Sequence, residues 1–217
     1  MRILAISDEV SNALYTPAAR ERLGKVDLIL GCGDLPYYYL EYLMDIFDAP
    51  LCYVHGNHDP LVEYSSASGT KTAPQGGDNI DLRCVNVAGL LVAGLEGCIR
   101  YKPDGFHQFT QNEMTLRSLA LLPGLARNRL MRGRWLDVLI AHSPPLGVHD
   151  MPTPAHTGFQ AFLDLMRIFR PRYLLHGHRH KNYASGPTET LCGTTMVINV
   201  HPYRVLEIEA NRYVRRI

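Results

Sequence analysis

Short, wholly apolar runs alternate with longer amphipathic ones through the first half of the chain. Ile3 to Ser7, Val26 to Leu30 and Leu51 to Val54 have strand length and carry apolar residues at nearly every position. Such runs mark strands covered on both faces, because a strand with one wet face would alternate apolar with polar. Between them, Pro17 to Leu23 reads as a helix with Thr16 as N-cap and proline in its first turn, stopped by Gly24. Tyr38 to Phe47 reads as a second helix. Strands and helices in this alternation predict an α/β fold with a largely parallel sheet covered on both faces.

The pattern changes after Ser65. Residues to Gly77 are rich in Ser, Gly, Thr and Pro and read as a surface loop. Asp81 to Val87 and Leu90 to Leu95, joined by Ala88-Gly89, predict a hairpin. Gln111 to Leu122 is helical in pattern, with Thr110 and Glu113 spaced as a capping box. Leu136 to Ala141 is another buried strand and Phe159 to Phe169 another helix. Leu174–Leu175, Met196 to Val200, Val205 to Glu209 and Tyr213 to Arg215 read as strands. With no repeat, low-complexity tract or linker to divide it, the sequence reads as one domain over residues 1–217.

Composition narrows this picture only modestly. Hydrophobic residues at 46% and charged residues at 20% are ordinary for a globular protein. Lys and Arg number 22 against 21 Asp and Glu, so no net field points to nucleic acid or an anionic membrane. A nucleic-acid or nucleotide substrate stays open. The five cysteines form no CxxC pair and several lie in apolar runs, which suits buried thiols in a reducing compartment. The chain opens directly on strand-like residues, and no apolar stretch is long enough to span a bilayer. A cytoplasmic protein without a membrane partner is the expectation, with oligomeric state unset.

The chemistry lies where the apolar runs end. Asp8 follows the first run, Gly33-Asp34 the second and Gly56-Asn57-His58-Asp59 the third; His142 follows Ala141, and Gly177-His178-Arg179-His180 follows Leu175. In open α/β sheets, ligands bind in the loops beyond the strand C-termini, so these segments can converge on one crevice. A lone Asp after a strand is usually a turn former, and a lone His beside an apolar run usually packs. Two imidazoles at alternate positions, or Asn-His-Asp directly after a buried strand, are poor core material. The set together points to metal ligation.

The order Asp, Gly-Asp, Gly-Asn-His-Asp, His, Gly-His-x-His, running from Asp8 to His180, resembles the calcineurin-like metallophosphoesterase family. The resemblance implies a four-layer α-β-β-α sandwich of two mixed sheets flanked by helices. It also implies a hydrolase of phosphate esters working with two metal ions (Mn, Fe, Zn, Co or Ni) and a metal-bound hydroxide. By the same resemblance Asp34 bridges the ions, Asp8 and His180 bind one, and Asn57, His142 and His178 bind the other. His58 then stabilises developing charge or protonates the leaving oxygen, with Asp59 as its orienting partner.

One position departs from the family pattern. Most members carry Asp-x-His in the first segment, whereas here Asp8-Glu9-Val10 ends in a residue that cannot bind a metal. Gly33-Asp34-Leu35-Pro36-Tyr37 is similar to the Gly-Asp-x-x-Tyr of purple acid phosphatases, so Tyr37 either replaces the missing imidazole as a phenolate or packs at a helix start. With nothing in its place, that ion would be held by few protein atoms and bind more weakly. A non-catalytic scaffold, as in the retromer trafficking subunit, is therefore the rival reading. Arg100 is a candidate phosphate contact with Tyr101 beside it, while His55, His107, His149, His156, His176 and His201 read as structural, exposed or supporting residues.

Overall fold

The computed structural model describes residues 1–65, 69–179 and 186–210. In chain order the elements are β1 (Arg2–Ile6), α1 (Ala18–Leu23), β2 (Leu28–Cys32), α2 (Tyr37–Phe47), β3 (Leu51–Val54), β4 (Glu63–Ser65), β5 (Gly69–Lys71), β6 (Asp78–Asn79), β7 (Cys84–Val87) and β8 (Leu90–Leu95). They continue with β9 (Cys98–Ile99), β10 (Gln108–Phe109), α3 (Gln111–Leu119), α4 (Leu122–Arg132), β11 (Val138–Ala141) and α5 (Gln160–Phe169). The described part ends with β12 (Tyr173–His176), β13 (Glu189–Cys192), β14 (Thr195–Asn199) and β15 (Tyr203–Glu207). The strand expected at Tyr213 to Arg215 lies outside the described residues.

Two mixed sheets carry the fold. In the first, ordered β15-β1-β2-β3-β6, strands β1, β2, β3 and β6 run parallel and β15 pairs antiparallel at the edge. In the second, ordered β13-β14-β12-β11-β8-β7, the central strands are parallel and β7 and β13 are antiparallel edges. Side chains alternate between faces along each strand. Ile3 and Ala5 of β1, Leu28 and Leu30 of β2, Val92 of β8 and Val138 and Ile140 of β11 therefore meet in one buried layer between the sheets. Leu4, Ile6 and Ile29 face the other way, against Ala19 of α1 and Leu40, Leu43 and Phe47 of α2. Ala93, Leu139 and Leu174 of the second sheet pack on Met114 of α3, Leu125 of α4 and Phe162 of α5.

This is an α-β-β-α sandwich of two mixed sheets, as the family resemblance implied, and the largely parallel sheet read from the apolar runs is one part of it. A wholly apolar run reports that both faces are covered but not by what. The helix at Leu122–Arg132 was not expected. Pro123-Gly124 reads as a break, yet proline is tolerated in a first turn, and Gly124 lies where a β-carbon would press on Cys84 of β7. Among smaller corrections, α1 has Pro17 at its N-cap without a side-chain cap from Thr16. The Thr110–Glu113 capping box forms as expected. No helix among the described residues is long and apolar enough to cross a membrane.

Candidate metal centre

The C-terminal ends of β1, β2, β3, β11 and β12 bring Asp8, Asp34, Asn57, His142 and His178 into one region, the loops converging as the motif order required. His180 lies outside the described residues. Three of these residues hold left-handed backbone: Asp8 at φ 67°, Asp34 at 59° and His178 at 62°. Side chains rarely adopt that region, and such strain costs about 1–3 kcal/mol at each position and collects at functional sites. Glycine supplies the remaining room. A β-carbon on Gly56 would overlap the Asp34 carboxylate, and one on Gly177 would overlap Ser7 and Asp8.

Proton placement shows what the site wants. The His142 imidazole is fully buried, and its Nδ1 lies 2.8 Å from the Cys32 carbonyl, which can only accept. His178 likewise sets Nε2 2.7 Å from the Ala155 carbonyl. Each ring, when neutral, thus places its single N–H on a main-chain oxygen and turns its other nitrogen, as a lone pair, toward the crevice. His178 Nδ1 and His142 Nε2 face each other at 3.0 Å, with Asn57 Oδ1 at 3.1 Å and Asp34 Oδ2 at 3.3 Å from the same His142 nitrogen. Acceptors crowded in this way repel unless a cation joins them. Ligands 2.0–2.1 Å from a common ion stand about 3.3 Å apart at tetrahedral corners, close to the 3.0–3.3 Å separations here. Asp34, His142 and His178 fit a metal ion in donor type, separation and lone-pair direction.

The electrostatics agree. Burial lowers the His142 imidazole's affinity for a proton, but the Asp34 carboxylate outweighs burial and raises it. Burial likewise opposes the charge on Asp34, yet His142 and the His58 amide hold the carboxyl well below its usual range. Burial, reinforced by His142, pushes His178 down to about 3, leaving it a neutral ligand at physiological pH. The carboxylate attracts whatever positive charge occupies this point, and a metal ion satisfies it as a proton does.

Supporting contacts separate the remaining candidates. Asp59 accepts amides from Asp34 (2.9 Å), Leu35 (2.8 Å) and Gly56 (2.7 Å), so its carboxylate clamps the β2 and β3 loops together. These bonds give it a positioning role for the two loops. His58 is exposed, and its amide donates to Asp34 Oδ1 at 2.7 Å, which sets the residue at the rim of the site. Asp8 accepts the His178 amide on both oxygens at 3.0 Å. Val10 packs with the apolar cluster between the first sheet and its helices.

Tyr37 is buried at the start of α2, and its hydroxyl donates to the Pro60 carbonyl at 2.9 Å. Burial, then the Asp59 and Glu63 carboxylates, push that phenol up to about 12, against the phenolate form. Arg100 bonds the Gln108 carbonyl and pairs with Glu113 of α3 at 2.9 Å, while neighbouring Tyr101 takes the Asn57 side-chain amide at 3.2 Å. The loop carrying Ala155 was missed, and His156 on it leans against the His178 ring, centroids 4.9 Å apart. A backbone carbonyl carries no residue-type signal that could have announced its role.

Fold and site together define a phosphoesterase scaffold with clustered candidate metal ligands. The calcineurin-like phosphoesterase family profile matches residues 1–182, and the chain belongs to that family. One solved structure superposes with a TM-score of 0.62 and 16% identity, over 92% of this chain and 90% of that chain. The protein TT1561 of Thermus thermophilus does so with a TM-score of 0.60 and 16% identity, over 92% and 88%. Likeness at that identity establishes the shared fold alone. Vps29 of Entamoeba histolytica, in a zinc complex, is more distant at a TM-score of 0.43 and 14% identity, over 92% and 73%. No curated protein matches the sequence.

Proposed function

We propose that this protein hydrolyses phosphate esters, mono- or diesters, at a dinuclear metal centre. The support is one observation: the lone pairs of His142 and His178 and the Asp34 carboxylate meet across 3.0–3.3 Å, with both neutral rings' hydrogens already placed elsewhere. In this reading Asp34, Asn57, His142 and His178 hold one ion, and Asp34 with Asp8 and His180 holds the second. Bound there, Mn, Fe, Zn, Co or Ni would supply Lewis acidity toward the phosphoryl group and a nucleophile at neutral pH.

The chain's own residues do the rest. Cys32 and Ala155 fix the imidazole orientations, and Asp59 sets the spacing of the two ligand loops. His58, exposed beside Asp34, protonates the leaving oxygen or steadies its charge. Arg100, tied to Glu113, is left out of the substrate contacts. Thiols with no disulfide among them suit a reducing cytoplasm.

A scaffold without activity is the second reading, favoured by Val10 packing in the core where an imidazole ligand is expected. Rates on p-nitrophenyl phosphate and bis-p-nitrophenyl phosphate with Mn, Fe, Co, Ni or Zn separate the two. The hydrolase reading expects wild type to exceed Asp34→Asn by on the order of a hundredfold or more, about 3 kcal/mol of transition-state stabilisation. Equal rates under every metal establish the scaffold.

A further inference from the structure

We infer that His55, Glu96 and His107 form a further divalent-cation site, suited to zinc or an ion of similar preference, apart from the Asp34 cluster and independent of the activity proposed above. His55 follows β3, Glu96 follows β8 and His107 precedes β10. The backbone is stitched around them: Gly97 donates to the His55 carbonyl at 2.8 Å and Cys98 to the His107 carbonyl at 3.0 Å. A β-carbon on Gly97 would overlap His107, which itself holds φ at 51°. The rings stack at 4.8 Å and 27°, and each presents Nδ1 to a different oxygen of Glu96 at 3.3 Å. That is again the edge of a tetrahedron about 2.0–2.1 Å in radius.

Neighbouring polar groups orient the His55 ring. Asn79 Oδ1 accepts the Asp81 amide at 2.8 Å, which fixes the side-chain amide's orientation and makes Nδ2 the donor 3.2 Å from His55 Nδ1. The Tyr37 hydroxyl gives its only hydrogen to Pro60, so it accepts from His55 Nε2 at 3.4 Å. With its hydrogen on Nε2, His55 turns an Nδ1 lone pair toward both the Asn79 amide and the Glu96 carboxylate, and an ion bound there would take that lone pair in place of the amide. The Nδ1 atoms of His55 and His107 and the two Glu96 oxygens are donors of the type and spacing a divalent cation takes.

Charge leaves room for one. Arg117 bonds Glu96 at 3.1 Å and also pairs with Asp81, so two carboxylates share one guanidinium beside the two imidazoles. The side chains of His55, Glu96 and His107 are 13%, 12% and 14% exposed, enough to admit an ion from solvent while excluding most water. Two imidazoles and a carboxylate are a donor set that zinc accepts with a fourth position open. Filled, the site would pin the loop before β10 onto the ends of β3 and β8.

The test is metal content of the stripped and zinc-dialysed full chain, for wild type, His107→Gln, Asp34→Asn and the double variant. One equivalent should vanish with His107→Gln in either background. If His107→Gln retains as much zinc as its parent in both, the site does not exist. Anomalous diffraction at the zinc edge from zinc-soaked wild-type crystals needs no variant to fold: a peak among the three side chains upholds the site, and none overturns it. Loss of zinc in His107→Gln but not in Asp34→Asn would leave this site standing and remove the dinuclear centre.

Discussion

The two sides of the Asp34 carboxylate differ in how far the protein prepares them. On one side His142 and His178 are buried, each ring is aligned by a main-chain carbonyl, and Asn57 closes the group within 3.1 Å. On the other side Asp8 accepts the His178 amide and gives its own amide to the Gly33 carbonyl, and position 10 packs against the helix-side core. Ligand residues alone do not make a metal site. What distinguishes the fuller side is the set of groups behind the ligands, which fix tautomers and remove the choice of pointing elsewhere.

Those supporting groups are where the comparison breaks most visibly. Asp59→Ala removes an acceptor from three amides, those of Asp34, Leu35 and Gly56. Bonds to a buried charge contribute about 1.5–3 kcal/mol each, but they do not add fully. Removing Asp59 also relieves its repulsion of Asp34, which acts with burial to raise the Asp59 carboxyl. A net loss of about 3 kcal/mol is expected in denaturant unfolding, with metal affinity at the fuller side falling roughly 10–100-fold in a calorimetric titration. Unchanged affinity in a destabilised variant would show that the loops hold their spacing without the clamp.

What the residues announced in advance follows the same division. Asp34, Asn57, His142 and His178 were legible because polar side chains directly after buried strands have no packing use. The Cys32 and Ala155 carbonyls were not legible, since every residue has one. The left-handed backbone at Asp8, Asp34 and His178 had no glycine to mark it. The second sheet was hidden for another reason: Val92 and Val138 look alike whether a helix or a sheet covers them. His55, Glu96 and His107 come from three separate loops, and each alone reads as an ordinary packing residue. Only the fold, which lays the end of β8 beside the end of β3, brings them together.

Val10→His asks whether the poorer side lacks only a ligand. Val10 is partly buried against the cluster that includes Leu14 and Tyr39. An imidazole there should lower stability by about 1–2 kcal/mol, from lost apolar packing and a polar ring set against the core. Metal stoichiometry should stay at the wild-type value. A gain of tightly bound manganese or zinc, measured by mass spectrometry after gel filtration, would mean that the segment can turn to face the site and that one substitution separates the two sides.

Tyr37→Phe makes the smallest and sharpest distinction. A phenolate ligand needs a lowered pKa and a free oxygen, whereas this hydroxyl is pushed up to about 12 and bonded to Pro60. The rise follows from burial first and from Asp59 and Glu63 second, so at neutral pH the group is a phenol in a hydrogen bond. Removing its oxygen should cost about 1 kcal/mol, the net worth of one such bond, and should leave the Asp34-site metal content unchanged. Iron-loaded wild type should show no phenolate charge-transfer band. A visible band lost in Tyr37→Phe, together with one equivalent of iron, would place the phenol on the Asp8 side and make that side as complete as its neighbour.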